Sequence, residues 1–165
     1  MSGLYALVGF IVAQRLAELA YAARNTRRLK SRGAVEAGAG HYPLVVALHA
    51  AWLAALVLMV PPETAVNLPL LGVFAALQAA RAWVIASLGE RWTTRIIVVT
   101  GTPLVTRGPY RFLRHPNYAV VCGEIAVVPL MFGAWDIALA FSALNWVLLR
   151  HRIRVEDAAL GLTGH

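Results

Sequence analysis

The sequence predicts an all-α integral membrane protein of about five transmembrane helices, the last two forming a helical hairpin. Three observations predict it. First, the chain is 59% hydrophobic and only 14% charged, with a mean hydropathy of +0.65, whereas a soluble domain is about a quarter charged. Second, apolar runs recur at close to the 20 residues needed to cross a hydrocarbon core of about 30 Å. Third, the formal net charge of +7 is concentrated between those runs. In a soluble protein a basic balance points to nucleic acid. Here it marks the loops that stay on the cytoplasmic side, and no nucleic-acid partner is expected. One domain over residues 1–165 is expected, with three helices in 1–88 and a connector, hairpin and tail in 89–165. Cys122, the single cysteine, lies in an apolar run and reads as a small core residue.

The first span covers residues 4–23. It has no basic segment ahead of it and carries Arg15 and Glu18, so a retained helix is expected rather than a cleaved signal. Arg15 and Glu18, three residues apart, share a helix face and can pair. Polar groups inside a membrane face the protein interior. Five basic residues follow between Arg24 and Arg32, which puts this loop in the cytoplasm and the N-terminus outside. Residues 33–40 form a glycine-rich connector without the Lys-Ser/Thr of a phosphate loop.

The second span covers residues 41–60 and includes His49, expected as a hydrogen-bonded packing residue. The third covers residues 66–88, with Pro69 near its start, where proline is tolerated, and Gln78 and Arg81 on one face. Residues 89–118 then form a long basic connector, again cytoplasmic. Residues 96–99 are a short β-branched run that suits an extended segment, and Trp92 suits an interfacial anchor. The last apolar block, 119–149, is interrupted at Pro129 and around Gly133. Each half is roughly 14–15 residues, so it reads as a hairpin returning to the cytoplasmic side. Glu124 lies inside its first helix, either as a buried carboxyl satisfied by an arginine or as a functional group. In the tail, Arg152 and Glu156 are adjacent if helical.

The chemistry-bearing stretch is 108–118. Pro109 and Pro116 break any helix through it, and arginines, His115, Tyr110 and Tyr118 fill the rest. No His-x-x-x-His or Cys-x-x-Cys spacing, nucleophile elbow or dinucleotide-binding glycine pattern is present. No metal is expected. What remains is a cytoplasmic-face pocket between this connector and the tail, walled by apolar helices. It suits a reaction between a polar cofactor and a membrane-dissolved substrate.

Three segments carry a resemblance. Pro103-Leu104-Val105-Thr106-Arg107-Gly108-Pro109-Tyr110 is followed by Arg114-His115-Pro116-Asn117-Tyr118, then by Arg152-Ile153-x-x-Glu156-Asp157. Together they resemble the isoprenylcysteine carboxyl methyltransferase family, integral membrane enzymes that use S-adenosylmethionine to methylate lipid-borne acceptors. The resemblance implies cofactor contacts from Thr102, Pro103, Leu104, Val105, Tyr110, His115, Pro116, Asn117, Tyr118 and Glu156, and a substrate-facing Arg152. Thr102 stands where eukaryotic members have histidine. Gln14-Arg15-Leu16-x-Glu18, His41-Tyr42-Pro43 and Arg91-Trp92-Thr93-Thr94-Arg95 are similar to a bacterial branch that O-methylates long-chain alkylpyrones or alkylresorcinols. The implied setting is the bacterial cell membrane.

Methyl transfer from a sulfonium is an in-line displacement, so alignment of donor and acceptor and exclusion of water dominate. Tyr110 and Tyr118 offer faces to a cationic sulfur. A carboxylate acceptor is already ionised, whereas a phenol with a pKa near 10 needs a base. Glu124, Glu18 and His49 are the candidates, with Arg152 stabilising the oxyanion. The competing expectations are N-methylation of a phospholipid amine and a non-catalytic scaffold whose basic loops bind anionic lipid.

Overall fold

A computed structural model describes residues 2–161. Five α-helices follow in order: α1 Gly3–Lys30, α2 Tyr42–Met59, α3 Leu68–Leu88, α4 Pro116–Leu130 and α5 Trp135–Ala159. The first three are long and apolar enough to cross a membrane, and α4 is a shorter apolar helix. At 1.5 Å per residue α4 reaches only about 22 Å, short of the hydrocarbon thickness. α4 and α5 form the expected hairpin through a tight turn in which Gly133 takes φ 70° and the Ala134 amide donates to the Pro129 carbonyl at 3.1 Å.

Helix ends follow local chemistry. The Ser2 side chain caps α1 by accepting from the Tyr5 amide at 3.4 Å, and Asn67 caps α3 by accepting from Leu70 at 3.1 Å. α1 continues seven residues past the expected Ala23. Arg27, Arg28 and Lys30 occupy its last turn, where cations favour the carbonyl end of the helix dipole.

The glycine-rich connector is not featureless. Val35–Ala37 (β1) pairs antiparallel with Ile96–Val98 (β2), with Glu36 opposite Ile97. This ribbon draws the α1–α2 loop onto the α3–α4 connector, so the basic segments gather at one end of the bundle. Glu36 accepts from Lys30 and Arg95, both at 2.6 Å, and these bonds, Lys30's first, hold its carboxyl below the ordinary range. A depressed carboxylate contributes stability above its unfolded pKa and loses it as pH falls through the folded value. Acidification below the usual carboxylate value of 4.5 is therefore expected to loosen the ribbon. Faster hydrogen exchange at Val35–Ala37 would report the step, and Glu36→Gln should remove it.

The apolar core lies at the opposite end, where Leu4, Trp52, Leu56, Phe74, Ile125, Val128 and Met131 pack together. Around it, Leu58 is 82% exposed and Leu139 69%, side chains that suit a hydrocarbon solvent. Trp92 corrects the expectation of an interfacial anchor. It is buried against Ala22 and Val84, because the Asn25 side chain on α1 binds the carbonyls of Gly89 and Trp92 and pulls the connector inward.

Candidate active site

At the basic end a cavity of about 670 Å³ opens between the connector and α5. Residues 95–106 form one wall, Tyr110, Arg114, His115, Asn117 and Tyr118 the second, and Arg152 and Glu156 the third. Each wall is braced. Arg91 donates to the Pro103 carbonyl at 2.7 Å and the Thr102 hydroxyl to Val99 at 2.6 Å. Arg107 Nε donates to the Ser87 carbonyl at 3.0 Å. Gly108, at φ 61°, sits so close to α3 that a Cβ there would lie 2.1 Å from Ser87 Oγ, so only glycine admits this approach.

Nine of the ten expected cofactor contacts, Thr102, Pro103, Leu104, Val105, Tyr110, His115, Asn117, Tyr118 and Glu156, line this cavity, as does Arg152. Pro116 does not. It is buried as the first residue of α4, where its fixed φ starts the helix. His115 and Tyr118 stack at 5.3 Å, and His115 Nε2 lies 3.1 Å from Asp157 Oδ1. The Tyr118 hydroxyl donates to Glu156 and accepts from Arg152 Nε at 3.0 Å. Burial, and after it the charge of Glu156, pushes the Tyr110 hydroxyl above its usual pKa, so it stays a neutral donor.

Arg152 is 9% exposed. Its Nη2 donates to the Thr94 carbonyl, whose side-chain hydroxyl meets Tyr42 at 3.2 Å. Among the described residues no carboxylate lies within 4.0 Å of it, although Glu156 is one turn away, because Glu156 turns to Tyr118 and His115 instead. A buried guanidinium without a counter-charge is costly.

The three expected base candidates lie elsewhere. Glu124, on α4, is 3% exposed and accepts from Arg81 Nε and Gln78 at 2.9 Å and also from Arg15. Glu18 accepts from Arg15 at 2.7 Å and Gln14 at 3.0 Å. His49 Nδ1 bonds the Val45 carbonyl at 2.8 Å. Two arginines and two glutamates thus neutralise one another between α1, α3 and α4, and none of these residues lines the cavity. The Arg15–Glu18 pair and an arginine-satisfied Glu124 are as expected, while Glu124, a candidate base toward the acceptor, does not line the cavity that Arg152 lines. Asn25, Thr94 and Asp157 shape the site through partners 42 or more positions away, which no local pattern identifies. Among the described residues no group of three His, Cys, Asp or Glu is placed to hold a metal.

The family model described as the isoprenylcysteine carboxyl methyltransferase (ICMT) family matches residues 70–161, which include every residue of the cavity but Leu29. The uncharacterized protein YpbQ of Bacillus subtilis is 40% identical over 158 residues, spanning 93% of this chain and 94% of that protein. An uncharacterized protein of Haemophilus influenzae is 25% identical over 158 residues, spanning 91% and 90%. No solved structure matches.

Proposed function

Because the chain belongs to the isoprenylcysteine carboxyl methyltransferase family and is a membrane methyltransferase, we propose that it uses S-adenosylmethionine to methylate a carboxyl or hydroxyl oxygen of a lipophilic small molecule. The acceptor is an alkylpyrone- or alkylresorcinol-like amphiphile or an isoprenylcysteine-type carboxylate. The observation that carries this reading is Arg152, a buried cation on the cavity wall that has no carboxylate partner among the described residues, its neighbour Glu156 being turned to Tyr118 and His115. An anionic acceptor oxygen supplies the missing charge. A phospholipid amine would bring a second cation there.

The residues fit the cofactor. The cavity volume lies in the range of cofactor sites, roughly 300–1,000 Å³. Asn117 Oδ1 and Trp92 Nε1 are buried without a hydrogen-bond partner among the described residues, and both residues line the cavity. Glu156 suits an amino group or paired hydroxyls, and Tyr110 and Tyr118 suit a cationic sulfur. When bound, S-adenosylmethionine supplies an electrophilic methyl group. Arg152 orients and stabilises the acceptor oxygen, the apolar helices exclude water, and the Tyr118–Glu156 bond fixes the two walls relative to each other. The gathering of basic segments at this end supports a cytoplasmic-facing site in a bacterial cell membrane with the N-terminus outside.

The test is calorimetric titration of S-adenosylmethionine into protein in nanodiscs, followed by methyl-label transfer to pentadecylresorcinol, palmitate and phosphatidylethanolamine. Glu156→Ala should weaken cofactor binding about ten- to a hundredfold, the loss of one hydrogen bond to a charged group. Label in the first two acceptors is expected. Label in phosphatidylethanolamine alone, or no cofactor binding by folded wild type, would overturn the reading.

A further inference from the structure

Between Glu90 and Glu124 the chain carries no acidic residue, while Arg91, Arg95, Arg107, Arg111 and Arg114 all fall there. Arg95 is neutralised by Glu36, and Arg91 is turned to the Pro103 carbonyl. Arg107, Arg111 and Arg114 are exposed, and none of the ion pairs among the described residues includes them. Two large apolar side chains stand between these arginines. Phe112 is 74% exposed and Leu113 53%. The backbone holds them there, since both amides donate to the Pro109 carbonyl at 3.1 Å and Pro109 is itself buried. The Arg111 guanidinium lies 6.0 Å from the centre of the Phe112 ring, so charge and ring are presented side by side.

The depth of this loop is fixed as well. Arg107 ties it to the Ser87 carbonyl, and a Cβ on Gly108 would lie 3.2 Å from Trp83 Nε1. Trp83 is 50% exposed and precedes Leu88, the end of α3, by five residues, or about 7–8 Å. An exposed tryptophan near the end of a spanning helix marks the boundary between headgroups and acyl chains. Trp83 thus holds the interfacial position expected of Trp92, and the loop is pinned beside it.

We propose that residues 107–114 form a docking surface for an anionic phospholipid, with Phe112 and Leu113 in the acyl boundary and the Arg111 and Arg114 guanidiniums on the headgroup phosphate. Charge selects this occupant, because a zwitterionic headgroup brings its own ammonium to the patch. The apolar pair selects a lipid over a free phosphate ion, which would leave Phe112 and Leu113 in water. The surface leads straight into the cofactor cavity. Arg114 lines that cavity, and His115, Asn117 and Tyr118 follow at the start of α4. A seated lipid therefore holds the second wall at a fixed depth. The docking is independent of the reaction proposed above.

The experiment exchanges the bound lipid of the full chain for phosphatidylcholine, titrates phosphatidylglycerol and counts retained lipid by native mass spectrometry. Hydrogen exchange over residues 107–115 is followed in nanodiscs of phosphatidylcholine, of an equal mixture with phosphatidylglycerol, and of phosphatidylcholine with inorganic phosphate in the buffer. Wild type should prefer phosphatidylglycerol roughly twentyfold, the combined effect of two basic residues at an anionic surface, and exchange in the loop should slow only in the mixture. Arg111→Gln, at an exposed position outside the cavity, should lower the preference about fivefold. Phe112→Ser, also exposed, should keep the loop exchanging fast in the mixture. Arg24→Gln removes the same charge from an exposed position on α1 and should leave the preference unchanged. An equal loss in Arg24→Gln and Arg111→Gln would mean a diffuse positive field and overturn the proposal. Protection by inorganic phosphate, or equal retention of the two lipids, would overturn it too.

Discussion

Arg152→Ala is expected to lower kcat for the lipophilic acceptor about a hundredfold, because the guanidinium holds the ionised acceptor oxygen in line with the methyl group and misplacing a reacting atom costs on that order. Affinity for S-adenosylmethionine should change little. The reason lies in how Arg152 is held. Its Nε and Nη2 are committed to the Tyr118 hydroxyl and the Thr94 carbonyl, which fixes the guanidinium plane against the cavity without neutralising it. Arg152→Lys is not expected to restore activity, because a single ammonium cannot bridge both partners and still face the acceptor. Single-turnover kinetics beside calorimetry check this. An unchanged turnover with lost cofactor affinity would make Arg152 a cofactor anchor instead.

The second large effect is on stability. Glu124→Ala leaves Arg81, 2% exposed, and Arg15 facing each other inside the bundle with their main acceptor gone. Removing one partner of a buried pair costs about 3–5 kcal/mol. Hydrogen bonds within a bilayer average less than in water-soluble cores, so the lower end of that range applies. Thermal unfolding in detergent should drop by roughly 6–12 °C, at 2–4 °C per kcal/mol for a chain of this size. Glu124→Gln keeps the shape and the hydrogen-bonding oxygen and should lose less. Because Glu124 is outside the cavity, phenol methylation per folded molecule should persist in Glu124→Gln. Abolished methylation in a normally folded Glu124→Gln protein would instead identify Glu124 as the proton acceptor.

The two effects separate the molecule into a polar network inside the bundle, which joins α1, α3 and α4, and a cavity at the basic end that faces the cofactor and acceptor. α4 belongs to both. His115, Asn117 and Tyr118 sit at its start and Glu124 two turns deeper, so the network sets the register of the helix that carries the second wall of the cavity. A Glu124→Ala protein that folds at low temperature should therefore also bind the cofactor more weakly.

The helices and the residue types around the cavity were legible from local sequence alone. Apolar run length and basic loops are local properties, so the three long spans, the hairpin broken at Pro129 and Gly133, and the basic end were legible before any packing was known. The segments from Pro103 to Tyr118 and from Arg152 to Asp157 were legible as well, because their residue types and order carry the resemblance. Which polar groups meet was settled by the packing of one helix on another. Three-residue spacing showed that Arg15 and Glu18 share a face, but Glu124 lies 109 positions from Arg15, and no local pattern says that the two arginines would claim it. Val35–Ala37 became a strand because Ile96–Val98 offered it a partner, although glycines on both sides argue for a loop. Trp92 went inside because Asn25 anchors its backbone. Arg152 and Glu156 share a helix face yet are kept apart, since Tyr118 stands between them and satisfies both. Periodicity reports what one helix presents, and burial of charge is settled only when a second helix supplies the partner.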